Sequence, residues 1–354
     1  MTAEQSEHND DIERVKNALA GAAAGTGGTF LPDETAREII EIVYEQNYLR
    51  GLIPALPQPR QTMKIPKLLT SVSFHELTLT DVDGGTTPAE SRHSTGEVTM
   101  TLKTLIANIP IGNYLVAYGV EGLLQVLRDD IGRRLAFVEE DLLLNGDTTT
   151  GGGSGFANNR NGDHNSSTNV RGIAANTNDY LLLFNGLLES TPAANVVAGG
   201  NAVFALSMLR SLINKLGIHA DNRGELALIV PRIVETQMLG FAELQTVDKY
   251  GPTATILSGE IGRVYGIRVF GTNALRTDLN ATGVFDGSTT DRTLCLLFNT
   301  RSPLIGNPTQ ANRRFSIGFF DEPKLDRFVL IPREDIAFGI RHTEALATVV
   351  NVAL

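Results

Sequence analysis

The chain has 354 residues, 42% of them hydrophobic and 20% charged, with a formal net charge of −10. That is enough apolar material for a sizeable core, in two domains or one large domain with insertions. The acidic balance works against a surface built to grip phosphate, and the single cysteine, Cys295, excludes an intramolecular disulfide.

Residues 1–29 read as an arm rather than a domain: Asn9-Asp10-Asp11 suits the cap of a short helix, and residues 21–28 carry four glycines with little to bury. Pro32-Asp33-Glu34 opens a predicted helix with Ala36, Ile39, Ile40 and Val43 on one face and Gly51 as its C-cap. Pro54, Pro57 and Pro59 then force an extended path. From Met63 the pattern turns to period two. Residues 64–103 predict a long two-stranded arm, with a weaker strand at 71–80 and strict alternation from Val98 to Lys103. Its tip, through Asp81-Val82-Asp83-Gly84-Gly85, Glu90 and Arg92, is polar and too long for a tight turn. Such an arm brings no core of its own and needs something outside its domain to lie on, most simply a second copy of the chain.

Val120, Leu124, Leu127, Ile131, Leu135, Val138 and Leu142 recur at spacings of four and three, which predicts a helix over residues 120–145 stopped by Asn145-Gly146. At about 1.5 Å per residue it spans ~40 Å. Residues 146–178 form a Gly/Asn/Thr-rich loop. Helices are predicted near 179–189 and 201–216, a strand at 225–230 ending at Pro231, a helix near 231–243, and short strands after it. From Arg314 the tail predicts strands at 315–320, 328–331, 336–341 and 345–352.

Little in the chain points to chemistry. The six histidines are scattered without metal-ligand spacing, and Cys295, inside an apolar run, reads as a small buried hydrophobe. There is no Gly-Lys-Ser/Thr phosphate loop, and residues 25–30 lack the last glycine of a dinucleotide fingerprint. Ser154 is followed by Phe156 where a nucleophile elbow wants glycine. No catalytic, cofactor or metal residues are therefore assigned. Glu139-Glu140-Asp141, late in the long helix, reads as a solvated face or as a surface for a basic partner. No basic stripe with interleaved aromatics supports sequence-specific nucleic-acid binding. No apolar run reaches the length of a membrane span, and no secretory signal opens the chain, so synthesis in a cytoplasm is expected.

Several phrases carry a resemblance. Gly27-Gly28-Thr29-Phe30-Leu31-Pro32 is similar to the opening of the mature domain in the major capsid proteins of tailed bacteriophages. Glu139 to Asp147, ending Leu142-Leu143-Leu144-Asn145-Gly146-Asp147, resembles the end of that family's spine helix. Arg171-Gly172-Ile173 resembles the resumption after its glycine-rich loop. Gly266-Ile267-Arg268-Val269 resembles a later family phrase, with Arg268 where proline is usual.

The resemblance covers residues 27–354 and implies an α+β, Hong Kong 97-like fold. Residues 1–29 would be an N-terminal arm and 66–104 an extended β-hairpin loop lying over a neighbour. Residues 30–65, 105–178 and 291–354 would form a peripheral domain, with spine helix, antiparallel strands and the glycine-rich loop, and 179–290 an axial domain. It implies pentamers and hexamers of an icosahedral shell around double-stranded DNA, with a portal, a separate scaffolding protein and, in some shells, a decoration protein as partners. Only 26 residues precede Gly27, so the expectation is a separate scaffolding protein, or a scaffolding segment that this sequence does not include. No lysine lies in the loop's tip, so Lys–Asn crosslinks are not expected. Inter-subunit contact candidates are Asp81, Asp83, Glu90, Arg92, Glu139, Glu140, Asp321, Lys324 and Arg327, the last three at a turn suited to a three-fold contact. Gly84-Gly85, Gly96 and Gly112 are expected to let the arm bend differently at different shell positions. The competing readings are an encapsulin-like compartment around a cargo enzyme, and a hydrolase using the glycine-rich loop, which lacks a nucleophile–base pair.

Overall fold

The computed structural model describes residues 47–70, 72–75, 90–113, 123–148, 180–241, 260–283, 289 and 291–354. The N-terminal arm, most of the helix expected after Pro32, Asp81, Asp83, Gly84-Gly85 and the glycine-rich loop lie outside these residues.

Two mixed sheets and one two-stranded ribbon carry the fold. The first sheet is organised by its longest strand, β13 (Arg327–Ile340). The first half of β13 lies between β12 (Ser316–Glu322) and β5 (Ile109–Gly112); further along, residues 333–336 pair with β4 (Lys103–Ile106) and residues 337–340 with β11 (Pro303–Pro308), all antiparallel. Strand β1 (Ala55–Gln58) joins the far side of β11 in parallel. The two tail strands expected at 328–331 and 336–341 are thus one continuous strand. The polar run Arg333-Glu334-Asp335 between them does not end the strand, because Glu334 and Asp335 are buried and paired within the sheet.

The second sheet has the order β6 (Val196–Val203), β14 (Leu346–Ala353), β10 (Arg292–Asn299), β7 (Leu226–Pro231), β9 (Ile267–Thr272) and β8 (Glu260–Val264). Strands 292–299 and 346–353 therefore stand in one sheet with residues 196–272, and the boundary expected at residue 290 does not separate the two sheets. The central strands are covered on both faces. On β10, Leu294, Leu296 and Phe298 join a core that also holds Leu142, Leu143, Leu144, Ile305 and Phe338, while Cys295 and Leu297 face α3 (Leu206–Leu216) and α4 (Arg232–Met238). Alternate side chains of one strand thus feed two cores. Cys295 is fully buried, as expected, and desolvation pushes its thiol pKa up.

The long helix, α2, is described over Leu123–Asn145. Its last carbonyls need partners that the helix cannot supply. Gly146 N–H donates to Leu142 O, Leu187 N–H to Leu143 O and Leu188 N–H to Leu144 O, at 3.0, 2.8 and 3.1 Å. This explains why residues 179–189, expected as a helix, form a short 3-10 turn at Tyr180–Leu182 and then an irregular path. The N–H groups of Gly186, Leu187 and Leu188 bond to the end of α2 instead of to the preceding turn of their own segment. The helix expected from residue 201 begins at Leu206, because residues 196–203 pair with β14. Before β1, the turn α1 (Leu49–Leu52) contains Gly51 and is capped by Ile53, where Gly51 was expected to be the cap.

Candidate functional site

The ribbon pairs β2 (Thr62–Leu68) with β3 (Thr95–Thr101), placing Met63 opposite Met100 and Ile65 opposite Val98. Period-two alternation puts these four on one face. Val98 and Met100 are buried against Leu304 and Ala337. The base of the arm is thereby fixed to the first sheet. Gly96, expected as a flexible point, is paired with Lys67 in this ribbon, and Leu69 packs over it.

Beyond Leu68 the ladder changes character. Leu69 N–H donates to Ser94 O at 2.8 Å, but Ser94 N–H donates to Thr70 Oγ1 at 2.9 Å and Ser73 N–H to Ser91 Oγ at 2.7 Å. Hydroxyls replace backbone acceptors, which is why residues 72–75 form no regular strand where one was expected. Here the apolar side chains lose their cover: Leu68 is 62% exposed, Leu69 58% and Phe74 94%. Glu90 and Arg92 are both exposed and paired with each other at 2.9 Å.

A second ribbon projects from the first sheet. Strands β12 and β13 meet through the turn Pro323–Leu325, and Asp326 closes it in the left-handed region at φ 47°. Arg327 Nε donates to Glu322 Oε2 at 2.6 Å, and Asn113 Nδ2 donates to Asp326 Oδ1 at 3.0 Å, which fixes the turn to the end of β5. Asp321 and Lys324 are exposed. Phe319 and Phe320 are neighbours, so they point to opposite faces of β12, and both are more than half exposed. This edge strand has neither face fully covered.

Glu139, Glu140 and Asp141 are buried within the chain, which overturns the expected solvated face. The chain entering α1 lies along the last turns of α2 and supplies the partners. Arg50 Nη1 donates to Glu139 Oε1 and, at 2.9 Å, to Glu334 Oε1 on β13; Asn47 Nδ2 donates to Glu139 Oε2 at 3.1 Å. Arg50 Nη2 donates to Asn307 Oδ1 at 3.0 Å. Tyr180 and Asn145 both donate to Asp141. One guanidinium thus ties α1, α2, β11 and β13 together. Burial, and then the Glu139 carboxylate, push the Glu334 pKa up to about 7, against the opposing pull of Arg50 and Arg314.

The sequence flagged Glu139 and missed Arg50, Asn47, Asn307 and Glu334. A charged run interrupting a leucine-rich helix face signals that a partner exists. It does not say which partner, and Arg50 and Glu334 lie 284 positions apart. Among the described residues no three His, Cys, Asp or Glu side chains could hold a metal ion. A cleft of about 610 Å³ between α2 and the second sheet gathers Arg134, Arg232 and Arg276. Arg232 pairs there with Glu235 and Arg276 with Asp278, and no histidine, serine or cysteine lines it.

A model of the phage capsid family matches residues 27–241. Over 143 residues the chain is 27% identical to the major capsid protein of Klebsiella oxytoca phage phiKO2, covering 40% of this chain and 32% of that protein; the match thus spans about a third of that relative's length. A solved chain from Microbacterium phage Oxtober96 superposes with a TM-score of 0.58 at 12% identity, over 94% of this chain and 99% of that one. A chain of the SrpI encapsulin complex from Synechococcus elongatus PCC 7942 gives 0.55 at 11% identity, over 95% and 97%. At these identities the likeness is one of fold, and it agrees with the α+β, Hong Kong 97-like architecture implied by the sequence phrases.

Proposed function

Because this chain belongs to the phage capsid family, we propose that it is a major capsid protein, whose copies assemble through pentamers and hexamers into an icosahedral shell enclosing double-stranded DNA. The observation that carries this is the arm. Its base is fixed to the first sheet, while Leu68, Leu69 and Phe74 stand exposed on a ribbon that nothing else among the described residues covers. A neighbouring copy is the partner of matching chemistry. The β12–β13 ribbon, with Phe319 and Phe320 more than half exposed and Asp321, Lys324 and Arg327 around its turn, is a second contact of the same kind. Many modest contacts per subunit close a shell through effective concentration while each stays reversible during assembly.

The role is structural, with no cofactor. A portal and a separate scaffolding protein are the expected partners, and the acidic surface suits a wall that does not stick to its DNA. No helix among the described residues is long and apolar enough to cross a membrane; the site of action is the virion. Electron microscopy of the purified protein tests the reading. Polyhedral shells or curved sheets are expected, and a chain that stays monomeric at high concentration would refute it. Particles boiled in detergent are expected to run as one monomer band; a ladder would show covalent crosslinks. The encapsulin likeness favours a second reading, a compartment around a cargo enzyme. Particle content separates the two, nucleic acid against a co-purifying protein.

A further inference from the structure

His219 and His342, 123 positions apart in sequence, face each other across the junction of the two sheets, with ring centroids 5.4 Å apart and planes inclined by 31°. His219 lies in the 3-10 turn Gly217–Ala220 that ends α3, and His342 in the corner between β13 and β14. Hydrogen bonds from one turn hold both backbones at this distance. Asn299 Nδ2 donates to His219 O at 2.9 Å, Ser302 Oγ donates to His342 O at 2.6 Å, and His342 N–H donates back to Ser302 Oγ at 3.1 Å. The short turn after β10 therefore clamps both histidines. The arm reaches the same place: Lys67, at the end of β2, donates from Nζ to Arg341 O at 3.0 Å.

The charges around the pair are one-sided. On His342, Lys67 from the arm, Arg341 from the corner and His219 from the α3 end act in one direction, and Glu344 opposes them. Partial burial, and then the charges of His219 and Lys67, hold the His342 pKa below its ordinary value. A histidine whose folded pKa is depressed opposes folding when it is charged. The contact is intact above the ordinary histidine range and weakens as pH falls through about 6.5. A transition metal between the rings fits less well, since Lys67 and Arg341 make the site unfavourable for a cation.

We propose that the His219–His342 pair is an acid-sensitive joint: charging the facing rings sets them in repulsion, strains the Ser302 clamp on the corner at residues 341–342 and loosens the Lys67 anchor at the outer end of β2. Its bearing on shell geometry rests on the shell reading above; the joint itself does not, because the test uses the unassembled chain. Histidine ring titration by NMR, on the full chain, compares the wild type with His219→Gln. Removing His219 is expected to raise the His342 midpoint. Hydrogen exchange, corrected for the intrinsic pH dependence of amide exchange, is expected to show residues 67–68 and 341–342 opening several-fold faster at pH 5 than at pH 7.5. That acceleration should vanish in the His219→Gln/His342→Gln double variant. A His342 midpoint indifferent to His219, or equal opening at both pH values, would overturn the proposal. Failure of the protein to form shells at any pH, with the titration as expected, would instead remove only the shell reading.

Discussion

At the scale of single residues, the knot around Arg50 shows how two carboxylates share one cation in a nearly water-free place. Glu334 is 4% exposed, and its pKa is raised to about 7. The folded chain therefore binds this proton more readily than the unfolded chain does. The stability that follows is fully present below about 4.5, the ordinary value, and is lost as pH rises through about 7. A shift of this size corresponds to up to ~3 kcal/mol. Glu334→Gln keeps the shape and removes the titration. The wild-type melting temperature should fall between pH 5 and 8 by several degrees more than that of the variant, as thermal unfolding would show. Parallel curves for the two proteins would mean that Glu334 ionises as an ordinary exposed carboxylate does.

At the scale of elements, the end of α2 depends on close backbone approach. A Cβ on Gly186 would lie 2.7 Å from Leu144 O and 2.8 Å from Leu143 O, and one on Gly146 would lie 2.6 Å from Leu142 O. A side chain at either position pushes the capping segment off the carbonyls it satisfies. Gly186→Ala should cost on the order of 2 kcal/mol in denaturant unfolding, through overpacking and lost caps together. Most of this logic escapes a reading by periodicity. Tyr180 to Leu188 is apolar enough to suggest a helix, yet Gly186, Leu187 and Leu188 spend their N–H groups on the end of α2. Strand β10 escaped for a different reason: Leu294 to Phe298 is buried on both faces, so the run has no alternation to report. Where one face is wet, as from Val98 to Thr101, the pattern in the sequence and the strand in the structure coincide.

At the scale of the whole molecule, the question is what the exposed apolar side chains are for. A single exposed Leu needs no explanation, but Leu68, Leu69 and Phe74 share one ribbon that projects beyond its support. Phe74→Ser should leave the stability of the isolated chain within ~0.5 kcal/mol of wild type, because Phe74 is 94% exposed among the described residues. It should reduce shell formation severalfold in sedimentation and electron microscopy. Normal assembly by this variant would move the contact elsewhere, with the β12–β13 ribbon as the next surface to alter.

The sequence by itself determined the periodic parts: the long helix, the alternation in the paired strands at the base of the arm, the burial of Cys295 and the phrases of a capsid family. These are local properties, set by side-chain spacing along a few turns or a single strand. Only the tertiary structure decided that Glu139 is buried beside Arg50, that two histidines face each other across a junction, and that residues 346–353 complete a sheet begun at 196. Each of these joins groups far apart in the chain, and the free energy that selects one partner over another is released only when the two surfaces meet and exclude water.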